Sequence, residues 1–220
     1  MRKNIHINRD AEAEQANKLK LEETIKRIEE KMEQTTDPKS HQQMLDVLTE
    51  LKQVQQANCL EILFDQCTIE FPAGSVQTGI VQPPFIVNVL NDPFFLNCCI
   101  TPVQVSACTP CGVVGGVTVN EVKAVGYINY YFNLEFSTFF NDGEGNCAVV
   151  NQLPFSCTGT TCADNVICYA SVEDSDPCPD FCNFGVQSVG VLVAASRAGN
   201  KATFTFDILH LLPDCNSQSE

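Results

Sequence analysis

The chain is 220 residues long, with 13 Lys+Arg against 27 Asp+Glu and a formal net charge of -14. It holds 13 Cys, no Trp and only three His. So few cations argue against nucleic acid and anionic membranes, which need clustered Lys/Arg, and so few His argue against most His-based metal and acid–base sites.

The averages conceal two unlike parts. Residues 1–58 hold ten Lys/Arg and eleven Asp/Glu, and no Cys, Phe, Tyr or Gly. Residues 59–220 hold three Lys/Arg (Lys123, Arg197, Lys201), sixteen Asp/Glu, all 13 Cys, all 14 Phe and all 12 Gly. So sharp a shift predicts a boundary near 57–59, with a helical arm at 1–58 and a cysteine-rich domain at 59–220.

Met1–Asp10 is charged and lacks the apolar run of a secretory signal. No apolar stretch anywhere reaches the ~20 residues of a membrane helix, so no membrane insertion is expected. From Ala11 the chain is rich in Glu, Lys, Ala, Gln and Leu, with no Gly or Pro before Pro38. That composition predicts a helix over about 11–34. Leu21, Ile25, Ile28 and Met32 draw one apolar stripe along it. Asp37 suits an N-cap and Pro38 a first helical position, so a second helix is expected over about 38–57. Its apolar face carries Met44, Val47, Leu48, Leu51 and Val54. The pair either folds back on its own β domain or serves as an oligomerisation arm.

After Cys59 the period becomes two. In Val122–Phe136 the even positions Val122, Ala124, Gly126, Ile128, Tyr130, Phe132, Leu134 and Phe136 share one face. The odd positions, from Lys123 to Glu135, share a more polar one. Further strands are expected at 60–71, 76–81, 85–90, 113–119, 166–172, 184–195 and 202–212. Pro83-Pro84, Asn91-Asp92-Pro93, Asp142–Asn146 and Arg197–Lys201 are the expected turns. Many strands without interleaved helices predict a mainly β chain. The expected fold is an antiparallel β-sandwich, Greek-key or jelly-roll-like, preceded by the helical arm or hairpin. About 160 residues bury a core without needing disulfides, so the cysteines call for another explanation.

Cys makes up about 8% of positions 59–220, near the level of a disulfide scaffold. Zinc is one chemistry: Cys108-Thr-Pro-Cys111 has knuckle spacing, and Cys178-Pro-Asp-Phe-Cys182 offers a second pair. Thioredoxin-like redox catalysis is disfavoured, because a strand-like run follows Cys111 where a helix is required. Disulfide cross-linking is the third. Thirteen is odd, so at least one thiol cannot pair within the chain. Cys98 and Cys99, adjacent in a strand, point to opposite faces. Cys215 lies on a polar tail five residues from the end. Cys98, Cys99 and Cys215 are therefore the expected inter-chain bonds, with Cys108, Cys111, Cys178 and Cys182 as further candidates.

His210, the one His of the β domain, sits on an alternating strand and reads as a satisfied or partly exposed His rather than a catalytic one. No nucleophile elbow, phosphate loop or dinucleotide fingerprint is present. The acidic stretches 141–146 and 173–176 could offer oxygen ligands to calcium, but neither matches the twelve-residue loop, and solvated acidic turns are expected. No catalytic residue, metal ligand or cofactor is assigned, and no enzyme is expected.

Disulfides belong to oxidising compartments, yet no secretion signal is seen. A chain made inside a cell that is later opened to the environment resolves the conflict. On Cys98-Cys99, Cys108-Thr-Pro-Cys111, the 117–128 run Val-Thr-Val-Asn-Glu-Val-Lys-Ala-Val-Gly-Tyr-Ile, and the scattered Cys of 147–182, the sequence resembles cysteine-rich structural proteins of bacterial spore coats and exosporia. The resemblance covers the β domain and not the helical arm. It implies self-assembly into layers or filaments hardened by inter-chain disulfides. The implied partners are further copies of the chain and other spore-surface proteins, after synthesis in the mother-cell cytosol. The alternatives are a disulfide-stabilised binding or adhesion module and an intracellular zinc-binding protein.

Overall fold

The structure, a computed structural model, describes residues 11–56, 62–72, 85–109, 112–141, 147–181, 186–198, 201–213 and 215. It opens with two helices, α1 at Ala11–Gln34 and α2 at Pro38–Gln56. Asp37 caps α2: the Ser40 hydroxyl and amide both donate to its carboxylate, at 2.6 and 2.8 Å. Those bonds, the hydroxyl's first, hold the Asp37 carboxyl below its ordinary range.

The strands are β1 (Ile62–Pro72), β2 (Ile86–Asn88), β3 (Leu90–Thr109), β4 (Gly112–Asn141), β5 (Cys147–Ala170), β6 (Gln187–Ala198) and β7 (Lys201–Leu211). All pairings are antiparallel. One sheet has the order β1-β7-β6-β2, the other β3-β4-β5. The second sheet is a meander of two hairpins, inserted between the early and late strands of the first. β7 then returns to lie beside β1. The molecule is mainly β, with two antiparallel sheets behind an N-terminal helix pair.

Several elements differ from expectation. Asn91-Asp92-Pro93 is not a turn; it lies inside β3, and the ladder shifts register between Asn91 and Phe94. A bulge accommodates the proline there, which has no N–H to donate. The predicted strands at 113–119 and 122–136 are one strand. Asn120 and Glu121 do not interrupt it, because each is paired with a neighbour on both sides. β5 begins nineteen residues before the predicted Val166, running through a stretch of Thr, Ser and Gly that β4 holds in register. The expected elements at 76–81, Pro83-Pro84 and Asp142–Asn146 lie outside the described residues.

Two buried clusters join the sheets. One combines Cys67, Ile69, Phe204, Phe206 and Ile208 of the first sheet with Tyr130, Phe132, Leu134 and Cys157 of the second. The other sets Leu63 and Leu212 against Val122, Ala124, Ile128 and Ile167. A third cluster lies on the opposite face of the first sheet. There Leu21, Ile25 and Ile28 of α1 and Met44, Leu48 and Leu51 of α2 pack on Ile62, Val189, Val191 and Leu209. The helix pair thus folds back on its own β domain. Arg27 adds a hydrogen bond to the Val193 carbonyl at 3.2 Å, and Lys52 pairs with Glu29 at 2.7 Å across the helices. The first sheet is covered on both faces. Among the described residues, the outer face of β3-β4-β5 is covered by nothing.

Gly126 lets β3 and β4 lie together at the centre of that open sheet. Its φ is 147°, and a Cβ there would run into the Phe95 carbonyl oxygen. Gly126→Ala is expected to lower stability by roughly 2–4 kcal/mol, read from the urea midpoint. A change under ~0.5 kcal/mol, the range of ordinary surface substitutions, would show that the ladder relaxes there without strain.

Candidate functional site

Among the described residues, three cysteine pairs stand at disulfide distance. Cys67 of β1 pairs with Cys157 of β5, with Cα atoms 6.5 Å apart, and joins the two sheets. Cys98 of β3 pairs with Cys178 at 5.9 Å, and Cys168 of β5 with Cys215 at 6.0 Å. All three separations fall in the range a disulfide bridges.

Two expectations are corrected by this. Cys98 and Cys215 are bonded within the chain, so neither supplies an inter-chain bond while its pair stands. The segment after β5 returns over the inner face of β3, and the C-terminal tail returns to β5. Cys98, Cys178 and Cys215 all pack against the buried group of Val122, Ile128 and Ile167. A four-thiolate zinc set also loses a member, because Cys178 is committed to Cys98. Of the other candidates, Cys108 lies in β3 opposite Val113, and Cys111 and Cys182 fall outside the described residues.

Cys99 and Cys162 remain free and exposed. The alternation that turns Cys98 inward turns Cys99 outward. Cys99 is registered opposite Lys123, and Cys162 opposite Tyr127. Directly paired residues share a face, so both thiols lie on the open face of β3-β4-β5. They are two strands and four ladder positions apart, roughly 16 Å. A disulfide needs Cα atoms within about 7 Å, so they cannot bond to each other. Phe95, opposite Tyr127, shares this face. Its ring lies 5.1 Å from that of Tyr127, and the two residues are 53% and 38% exposed. Leu90, opposite Tyr131, is also 53% exposed. Lys123 lies 3.6 Å from Asp164 and 3.8 Å from Glu121. This face combines two free thiols, exposed aromatic surface and one of the three cations of the β domain.

A second polar constellation lies between the sheets. His210 is fully buried. Its Nε2 is 3.0 Å from the Thr161 hydroxyl, and its Nδ1 is 2.5 Å from the Ser188 hydroxyl. Thr161 donates its proton to Asp65 at 2.9 Å, so its oxygen accepts from Nε2–H. Nδ1 is left to accept from Ser188. Tyr130 also donates to Asp65, and its ring lies 5.2 Å from the imidazole. Gly159, opposite Tyr130, leaves room for that ring, which a Cβ would strike. Burial pushes the His210 pKa down to about 4, outweighing the opposite pull of Asp65. Burial first, then Asp65, raises that of Tyr130. The proton donors are spent within the node, and the imidazole is buried between the sheets. The arrangement ties β1, β4, β5, β6 and β7 together.

Of the sequence candidates, the fold brings Cys98 to Cys178 and Cys215 to an unanticipated partner, Cys168. Sequence reasoning overlooked Cys162, Asp65, Thr161 and Ser188. The signal for Asp65 was its position between Leu63 and Cys67 on the inward face of an alternating strand. The turn at 173–176 is exposed, and Asp174 accepts from the Asp176 amide at 3.3 Å within it. No model of a known protein family, no curated protein and no solved structure matches the chain.

Proposed function

We propose that the chain is a non-enzymatic structural protein that assembles with itself and is then locked by inter-chain disulfides, as a component of a bacterial spore surface layer or appendage. One observation carries the reading. Cys99 and Cys162 are free and exposed on one sheet face that none of the described residues covers, too far apart to bond to each other. The spore setting rests on the sequence resemblance. An acidic surface keeps free subunits apart until contact and oxidation overcome their repulsion. Cross-linking needs an electron acceptor, here a small disulfide such as oxidised glutathione. One chain's thiolate attacks it and expels one thiolate; the second chain's thiolate then displaces the other. Each inter-chain bond yields two small thiols and releases two protons from the protein.

Oxidised by glutathione disulfide, the chain is expected to run as covalent dimers or larger multimers on denaturing gels, reversed by reductant. The doubly substituted Cys99→Ser/Cys162→Ser protein should form at least tenfold less. Unchanged multimers would remove these two thiols from the assignment. The three internal pairs favour a second reading, a disulfide-stabilised β-sandwich that binds or adheres to a partner. That protein stays monomeric on oxidation, with Cys99 and Cys162 still open to alkylation.

A further inference from the structure

The geometry points to a second copy of this chain as the occupant of the open β3-β4-β5 face, docked about a two-fold axis so that Cys99 of each copy bonds Cys162 of the other. The inference rests on the cross-linking reading above and adds the partner, the symmetry and the pairing.

On the face, Cys99 stands beside Lys123 on β3, and Cys162 beside Tyr127 on β5. Val125, which faces Asn97 and Asp164, lies midway between the thiols on the central strand. When two such faces meet, a two-fold axis lies in the plane of contact. If it passes through Val125 perpendicular to the line joining the thiols, it carries each Cys99 onto the opposite Cys162. Both bonds then form by one operation, the self-complementarity of a closed dimer. Disulfides spanning two packed sheets are an established arrangement.

The same operation arranges the other groups well. It sets Lys123 of one copy beside Asp164 of the other, so the ion pair at 3.6 Å within the chain gains a counterpart across the contact. It brings the two Phe95 rings, each 53% exposed, together near the axis. Charge also selects this face. At a net of -14, most surfaces of two copies repel. Lys123 is one of three cations among residues 59–220, and it lies here.

Area explains why covalent bonds are needed. Three strands over the eleven ladder positions 121–131 make a face about 14 Å wide and about 36 Å long. That is on the order of 500 Å² in projection per copy, about 1,000 Å² for the pair, the lower bound for a specific interface. Contact alone holds such a dimer weakly and reversibly. Two disulfides, formed by the exchange reaction given above, make it permanent. The closed dimer is then the unit from which a layer or fibre grows through other surfaces.

The test uses the full chain, mixed as unlabelled and ¹⁵N-labelled protein, oxidised by glutathione disulfide and mapped by mass spectrometry of linked peptides. The expected product is a covalent dimer in which Cys99 of one isotope is linked to Cys162 of the other. Cys99→Ser alone and Cys162→Ser alone should each form at least tenfold less dimer. An equimolar mixture of the two should recover it as a heterodimer with a single Cys99–Cys162 link. Cys99–Cys99 and Cys162–Cys162 links would overturn the proposed pairing while leaving the cross-linking reading intact. An open ladder of multimers joined throughout by Cys99–Cys162 links would keep the pairing but overturn the two-fold, replacing it by a head-to-tail chain. No inter-chain link at either residue, with both thiols still open to alkylation, would sink this proposal and the cross-linking reading together.

Discussion

Replacing Cys67 and Cys157 together by alanine is expected to lower the unfolding free energy by about 4 kcal/mol. The bond closes a loop of 90 residues, and constraint of the unfolded chain alone gives a term of that size. The Cys168–Cys215 bond, with a separation of 47, differs from it by only about 0.6 kcal/mol in that entropic term. Loop length therefore does not distinguish the two. Position does. Cys168–Cys215 fastens the C-terminal tail, whereas Cys67–Cys157 fastens one sheet to the other within the cluster of Tyr130, Phe132 and Phe206. In a chain of this length the loss corresponds to a fall in Tm of roughly 8–16 °C. Urea unfolding of the oxidised wild type and the double variant measures it. A difference under ~1 kcal/mol would mean that the pair adds little constraint in solution.

Acid should weaken the fold through His210. The buried ring stays neutral down to about pH 4 in the folded chain, while an exposed histidine takes a proton near 6.5. Between those values the unfolded state binds more protons, so stability falls as pH falls. The contribution is complete above about pH 6.5 and is lost progressively down to about 4. A shift of that size corresponds to about 3 kcal/mol. His210→Gln keeps an acceptor for Ser188 and a donor for Thr161 while removing the titration. Unfolding free energies of both proteins at pH 7, 6, 5 and 4 should diverge at the top of the range and converge at the bottom. Equal slopes would show that the carboxylates, not His210, govern the acid limb. Because Ser188 lies on β6 of the first sheet and Thr161 on β5 of the second, the variant also reports how far the node holds the sheets together.

Both results bear on how much of this protein is legible in its sequence. The helix pair was, down to the Asp37 cap and the stripe of Leu21, Ile25 and Ile28, because helix signals lie within a few residues of each other. The mainly β character of 59–220 was too, along with the inward set Val122, Ala124, Ile128, Tyr130 and Phe132, because burial of one face forces alternation. The extent of β3 and β5 was not. The stretch 156–164 has no Val, Ile or aromatic residue to mark an alternating apolar face, and is held in place by β4, a partner found only through folding. Asn91-Asp92-Pro93 reads as a turn on local grounds and becomes a bulge because the ladder continues on both sides.

That Cys98 and Cys99 face opposite ways follows from chain order alone, since neighbours on a strand always do. That thirteen cysteines leave at least one thiol over follows from their number. Which of the described cysteines pair is set by the fold. Cys98 turns inward to Cys178, 80 residues away, and Cys99 turns out beside Lys123. The tail brings Cys215 back to Cys168, and Cys162 is left on the open face. Disulfide partners, like the members of the His210 node, are chosen by proximity across long loops. Composition and period constrain which face a residue takes, but not which distant strand comes to lie against it.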